Sequence, residues 1–231
     1  MPNPRLTAPR AVLSATALGG LMAGMVALSA QAGESYVSVG LPGVVAGYAI
    51  TVNEKLGLRA DAGTMGNVRR THSVSGVGFD TKAQYNRFGL FADYFPFGGR
   101  FRLTGGLTFN KAQLDLNSRF DGSSSINING QTITPSAADY FNLQMKFPST
   151  MPYVGLGWGH QPRAAGMGFI ADLGVSIGRA KLNTDTNIVG KTYSGYTVTQ
   201  ADVDAKTAEI HDAVGHITFL PSANIGLNYR Y

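Results

Sequence analysis

The feature that most constrains this chain is an alternation of apolar and polar residues with a period of two. In the segment 101–109, the odd positions are apolar or glycine and the even positions are polar or glycine. The same scheme recurs in segments 56–62, 88–94, 152–158 and 169–177. Alternation of this kind is typical of β-strands whose two faces meet different surroundings. The sequence therefore predicts an all-β protein.

Ionisable residues occupy the polar faces of these predicted strands, while the apolar faces have almost none. They are three arginines and three aspartates: Arg59, Asp61, Arg87, Asp93, Arg102 and Asp172. A polar interior with a lipid-facing exterior suits a membrane barrel, whereas a soluble β-protein would bury the apolar faces. The strands also approach the roughly 9–11 residues of a tilted membrane strand. We therefore predict an eight-stranded antiparallel transmembrane β-barrel with these six residues as its interior polar network; the alternative is a gated proton or ion path through them.

The predicted strands and connections agree with this architecture. Short turns fall near 52–55, 97–100 and 160–166, and long polar connections run through 67–80, 113–143 and 183–212. Short periplasmic turns and long external loops are typical of outer-membrane barrels. Asn129-Gly130 predicts a hairpin inside a long loop. Segment 201–214 predicts a short helix in the last long loop. The eight strands are predicted at 35–41, 44–52, 56–65, 82–95, 100–112, 145–158, 168–181 and 216–231.

The N-terminal segment has the layout of an export signal. Residues 1–32 contain Arg5 and Arg10 and no acidic residue, followed by an apolar run that ends in Ala30-Gln31-Ala32. A positive start, an apolar core and a small-x-small site are typical of a secretory signal peptide. The alternative is a membrane anchor helix. We predict a cleaved signal peptide over 1–32, a barrel over 33–231, and location in the bacterial outer membrane.

Aromatic residues concentrate beside the predicted short turns. Aromatic side chains are enriched at membrane interfaces, where a ring can lie partly in water. Ordinary strand propensity also enriches aromatics, but it does not place them at one end. We predict an aromatic girdle that contains Tyr94, Phe97, Phe101, Trp158 and Tyr229.

The C-terminal segment alternates strictly and ends on an aromatic residue. Its apolar face is Ala223, Ile225, Leu227, Tyr229 and Tyr231. This pattern resembles the terminal assembly signal of bacterial outer-membrane β-barrels, which in that family is read by the barrel-assembly machinery. The final residue here is tyrosine, where phenylalanine is more common in the family.

The whole predicted mature chain is similar to the small OmpA-, OmpX- and OmpW-like barrels. Within that group it resembles a proteobacterial subgroup with stretches like 93–103, 153–159 and 168–174. The resemblance implies a barrel architecture and no specific activity.

Composition and motifs exclude several classes of function. The chain has no cysteine, which excludes disulfides, thiolate metal sites and thiol nucleophiles. A net charge of +5 from scattered basic residues does not suit nucleic-acid binding. No motif accompanies the histidines, which are His72, His160, His211 and His216. We predict no catalysis, no cofactor and no metal site.

The leading functional hypothesis is a monomeric structural or surface-interaction barrel whose external loops mediate any recognition. Its expected partners are outer-membrane lipid and lipopolysaccharide. Arg69 and Arg70, with His72, are expected to lie in a solvated loop, and the alternative is that they meet lipopolysaccharide phosphates at the outer rim. The alternatives are a narrow channel for small solutes, hydrophobic ones included, a lipid-modifying or proteolytic barrel enzyme, and a soluble periplasmic β-protein.

Overall fold

A computed structural model of the protein describes residues 33–74, 77–160, 165–214 and 217–231. The predicted signal peptide, residues 1–32, lies outside the described residues. The strands in chain order are β1 (Gly33–Leu41), β2 (Gly43–Asn53), β3 (Leu56–Val74), β4 (Val77–Tyr94), β5 (Phe101–Arg119), β6 (Ile126–Ile128), β7 (Gln131–Ile133), β8 (Phe141–Lys146), β9 (Thr150–Trp158), β10 (Gly166–Ile177), β11 (Lys181–Thr186), β12 (Thr192–Tyr193), β13 (Tyr196–Thr197) and β14 (Phe219–Arg230). One helix, α1 (Gln200–Val214), precedes the last strand.

Eight of these strands close into an antiparallel ring in the order β1-β2-β3-β4-β5-β9-β10-β14. The ring closes where β14 pairs with β1, with Leu227 opposite Val37. The predicted all-β, eight-stranded barrel with a helix in its last long connection is confirmed.

The two faces of the ring differ as the alternation predicts. Apolar side chains point outward and stay exposed: Leu107 is 47% exposed and Leu173 57%. Arginine, aspartate and threonine side chains point inward and are buried. A water-soluble barrel would have the reverse arrangement, because apolar side chains avoid water. The apolar belt, the name used below for this outward surface, includes Leu58, Phe88, Leu90, Leu103, Leu107, Phe109, Val154, Leu156, Phe169, Leu173, Ile225 and Leu227.

Strands β3, β4 and β5 are longer than predicted. Their ladder continues past the belt to the pairs Arg69↔Lys82 and Gly78↔Arg119. The predicted strands are too short because the outward residues beyond the belt are polar. The apolar alternation therefore stops at the edge of the belt, whereas the hydrogen-bonded ladder continues beyond it. Among the residues that the structure describes, no helix is long and apolar enough to cross a membrane.

Turn and cap residues explain two smaller elements. The hairpin β6–β7 turns through Asn129 and Gly130, with φ of 50° and 81°, as a primed turn requires. Helix α1 starts with a reciprocal cap: the Thr199 amide donates to the Asp202 carboxylate at 2.9 Å, and the Asp202 amide donates to the Thr199 hydroxyl at 3.3 Å.

The long connections beyond the outer ends of the strands form a folded unit with its own apolar core. We call this unit the external cap; it comprises the hairpins β6–β7 and β12–β13, the pair β8–β11, helix α1 and the connections that join them. Its core residues are buried: Phe120, Ile128, Ile133, Phe141, Ile188, Val198 and Val203. The sequence predicted polar loops here, because these apolar residues come from short elements that share no single period.

Carboxylates hold the turns of the cap together. The Asp139 carboxylate accepts a hydrogen bond from the Ser136 amide at 2.7 Å and pairs with the Lys191 ammonium. Burial alone would raise the pKa of Asp139, but the bonds from Lys191 and Ser136 lower that pKa to about 2. Hydrogen bonds to Asp121, first from the Ser123 amide, also lower the pKa of that carboxyl.

The external cap is therefore expected to lose stability in acid. The pKa of Asp139 in the folded cap is about 2, below the unfolded value of about 3.9. Its stabilisation is fully present above the unfolded value and is lost as the pH falls through the folded one. Far-UV circular dichroism of α1 should weaken over this window, and an Asp139→Asn variant should show a smaller dependence on pH. A helix signal that is constant down to the folded pKa, or a variant identical to wild type, would refute this.

Candidate functional site

The barrel interior contains the largest cluster of ionisable side chains among the described residues. The six residues predicted from the sequence all lie there, and each has a side chain at most 9% exposed. Strand β3 supplies Arg59 and Asp61, β4 supplies Arg87 and Asp93, β5 supplies Arg102, and β10 supplies Asp172.

Arg59 lies at the centre of this cluster and contacts all three aspartates. Its Nε donates to Asp93 Oδ2 at 3.0 Å. Its two terminal nitrogens lie 3.5 Å from Asp61 Oδ2 and 3.5 Å from Asp172 Oδ1. One guanidinium thus joins β3, β4 and β10 across the lumen, which side chains fill in a barrel of this size.

Arg87 and Tyr36 complete the surroundings of Asp61. Arg87 Nη2 donates to both carboxylate oxygens of Asp61, at 3.0 and 3.1 Å. The Tyr36 hydroxyl donates to Asp61 Oδ2 at 3.0 Å. Arg87 also donates to the Ser222 hydroxyl at 3.2 Å and thereby reaches β14. Charge-assisted bonds of this kind are the strongest that a buried carboxylate can accept.

Arg102 closes the network on the side of β5 and β9. Its side chain has no exposed surface, and it pairs with Asp93, at 3.3 Å from Nε to Oδ1, and with Asp172. Thr104 donates to Asp93 at 2.6 Å. The guanidinium lies over Gly157, where a Cβ would come within 2.4 Å of Arg102 Nη1. A glycine at this position therefore makes room for the buried arginine.

An aromatic side chain packs against the charged groups. The Arg59 guanidinium lies 4.6 Å from the centre of the Phe91 ring, and the Arg87 guanidinium lies 5.6 Å from it. Both distances are in the range of cation–π contacts. The edge of the Tyr153 ring packs on Phe91 at 4.9 Å between centroids. The interior is thus filled by salt bridges and rings together.

This packing leaves almost no free space in the middle of the barrel. The cavity among the charged side chains has a volume of 10 Å³. That is about the space that a single water molecule needs. In this conformation the middle of the lumen, among these charged side chains, has no room for a solute.

A second buried pair lies at the short-turn end and was not predicted. The His160 ring hydrogen-bonds to Glu34 through Nδ1, and the ring packs edge-on against Tyr36 at 4.6 Å between centroids. Glu34, Tyr36 and Ser38 alternate along β1 and all point inward. This alternation of polar inward residues was the available signal, but the predicted strand began one residue too late to include Glu34.

Of the other three histidines, the structure describes the side chain of His211. His211 is 39% exposed and its Nδ1 lies 3.8 Å from an Asp212 oxygen. His216 lies outside the described residues, and the side chain of His72 is not described. Within the described ranges, no group of three or more acidic or histidine side chains could hold a metal ion.

The predicted C-terminal signal and aromatic girdle lie on the outside of the ring. Ile225, Leu227 and Tyr229 are 51–57% exposed and alternate with the buried residues of β14. Ala223 points the same way. The girdle residues and the terminal tyrosine lie beside the short turns, and all except the partly buried Phe101 are exposed: Tyr94, Phe97, Phe101, Trp158, Tyr229 and Tyr231. Recognition of this segment by the assembly machinery stays a prediction.

Known proteins resemble this chain in fold. No family model and no curated protein matches it. The crystal structure of CarO2 from Acinetobacter baumannii has a TM-score of 0.60 and 17% identity, over 88% of this chain and 100% of that chain. CarO from the same organism has a TM-score of 0.55 and 18% identity, over 87% and 98%. The finer resemblance to OmpA-, OmpX- and OmpW-like barrels stays a prediction, and what these structures show is the fold, an outer-membrane-type β-barrel.

Proposed function

We propose that this protein is an integral outer-membrane barrel with an occluded interior, and that its external cap provides the surface for recognition. In this proposal it is exported by a cleaved signal peptide, acts as a monomer and performs no catalysis. The observation that supports it best is the interior cavity of 10 Å³ between the arginine and aspartate side chains. The exposed apolar belt supports a lipid environment, because such a surface in water would be costly.

The cap supports a role at the cell surface. A structural barrel needs only short connections, yet this chain folds its long ones around a core that includes Ile128, Ile188 and Val198. Ordering these segments costs conformational entropy, which the apolar core offsets. A rigid external unit offers a fixed surface to a partner, as binding loops on rigid scaffolds do.

A gated channel is the second candidate. Arg87 Nε and Arg102 Nη1 are buried and have no hydrogen-bond partner among the described residues. In an open conformation, water or an anion could satisfy these groups. That conformation requires the guanidinium groups of the network to move apart.

Conductance across a planar lipid bilayer distinguishes the two candidates. We expect the wild-type protein to insert and to show no steady conductance steps. The double variant Arg59→Ser/Asp93→Ser removes one charge of each sign from the network and should admit ions. As a control, Lys206→Ser/Glu209→Ser removes an exposed pair on α1, where the ammonium lies 2.9 Å from the carboxylate, and should stay silent. Steady conductance by the wild type would overturn the occluded barrel and support the channel.

A further inference from the structure

Three lysines meet on the outward face of the barrel, just beyond the outer edge of the apolar belt. Strand β5 has Lys111 two residues after the belt residue Phe109, on the same face. Lys146 ends β8 and lies directly opposite Lys181, which begins β11. Lys146 is also opposite Gln113, so it lies diagonally across from Lys111. All three side chains are exposed.

This lysine cluster (Lys111, Lys146 and Lys181) is electrostatically unfavourable without an anion. Directly opposed residues on one sheet face have Cβ atoms about 4.5–5.5 Å apart, and like charges there are destabilising. Within the described residues, no carboxylate forms an ion pair with any of the three. The nearest outward carboxylate on β5, Asp115, instead accepts bonds from Gln113 at 2.7 Å and Gln144 at 2.7 Å.

The position of the lysine cluster relative to the apolar belt determines which layer of the outer leaflet it can contact. Phe109 opposes Phe88, with ring centroids 6.1 Å apart, and these rings mark the outer edge of the belt. Lys111 is about 7 Å further along the tilted strand, and Lys146 and Lys181 are about 13 Å further. The polar headgroup layer of a bilayer leaflet is about 5–8 Å thick, and a glycolipid with a sugar core extends beyond it.

A second like-charged pair lies further out on the same face. Arg69 on β3 is directly opposite Lys82 on β4, and Lys82 is in turn opposite Asp115 on β5. With Arg70, Thr71 and Asp80 they line a polar cavity of 420 Å³. Asp80 in this cavity is already paired with Arg119. The basic face therefore continues outward from the belt.

We propose that the lysine cluster binds phosphate groups of lipopolysaccharide in the outer leaflet, and that Arg69 and Lys82 extend this contact to phosphates further out. The inference rests on the proposed membrane location of the barrel. A doubly charged phosphate between Lys146 and Lys181 converts a repulsive pair into two attractive contacts. Such contacts also hold the barrel at a fixed depth in the membrane, because the apolar belt contacts the hydrocarbon layer while the lysines contact the phosphate layer.

Binding of fluorescently labelled lipopolysaccharide in mixed detergent micelles tests the proposal. We expect the double variant Lys146→Gln/Lys181→Gln to weaken binding about 25-fold, at about fivefold for each lysine. As a control, Lys55→Gln removes an exposed lysine in the β2–β3 turn at the opposite end and should leave the affinity unchanged. Enzymatically dephosphorylated lipopolysaccharide should compete poorly with the labelled form.

Three results would overturn it: equal affinity of the double variant and wild type, full competition by the dephosphorylated lipid, or full competition by inorganic phosphate, which indicates a site for the free ion. Two properties of each variant are measured without lipopolysaccharide. They are slower electrophoretic migration after boiling and insertion into phosphatidylcholine vesicles. If the wild type shows neither property, the membrane barrel itself is refuted. Failure of the proposed membrane location is therefore distinguishable from failure of the proposed phosphate site.

Discussion

Replacing Arg102 by methionine is expected to lower the free energy of unfolding by about 3–5 kcal/mol, the cost of breaking a buried ion pair by removing one partner. The Arg102 side chain is 0% exposed and pairs with Asp93 and Asp172. Methionine retains much of the side-chain volume over Gly157 but supplies no charge, so two carboxylates are left buried with one cation fewer.

Two further variants show whether this loss comes from unpaired charge. Arg119 lies on the same strand and also pairs with an aspartate, Asp80, but its side chain is 67% exposed. Arg119→Met should cost less than about 1 kcal/mol, as exposed pairs do. Adding Asp172→Asn to Arg102→Met should recover part of the loss. Urea unfolding in lipid vesicles measures all three, and equal losses for Arg102→Met and Arg119→Met would contradict the buried network.

Lysine in place of Leu107 should destabilise the inserted barrel by about 2 kcal/mol, the lower end of the range for a cation on the lipid face at the bilayer midplane, because Leu107 lies one outward position inside the edge of the belt. Leu107 is 47% exposed and lies between Leu103 and Phe109 on the outward face of β5. In a soluble protein, a leucine exposed to this degree could become lysine with little effect.

Asn117→Lys is the matched control for this substitution. Asn117 is exposed and points to the same side of β5, beyond the apolar belt. Its change to lysine should alter stability by less than about 0.5 kcal/mol. The same vesicle-unfolding measurement applies, and a Leu107→Lys variant as stable as Asn117→Lys would contradict a lipid-facing belt.

The barrel was predictable because its two faces impose a simple period on the chain. Arg59 and Asp61 on one strand, like Arg87 and Asp93 on the next, fall at alternate positions, and this places them all inside. Their pairing was not predictable. The contact of Asp172 with Arg59 at 3.5 Å depends on ring closure, which brings β10 across the lumen from β3.

The external cap was missed for the opposite reason. Its core joins Ile128 of a three-residue strand, Val198 of a connection and Val203 of a helix. The three-residue strand and the connection are too short to show a period, so these parts of the segment look polar when averaged. The hairpin at Asn129-Gly130 and the helix α1 were predictable, because their signals are local.

Trp158 allows the most direct test of the lipid-facing barrel. It is the only tryptophan in the chain, it is 49% exposed, and it points outward at the short-turn end of β9. In vesicles, brominated lipids should quench its fluorescence, most strongly when the bromines are shallow, and aqueous iodide should quench it weakly. If iodide quenches Trp158 strongly while brominated lipids have no effect, the apolar belt does not face lipid and the barrel does not span the membrane.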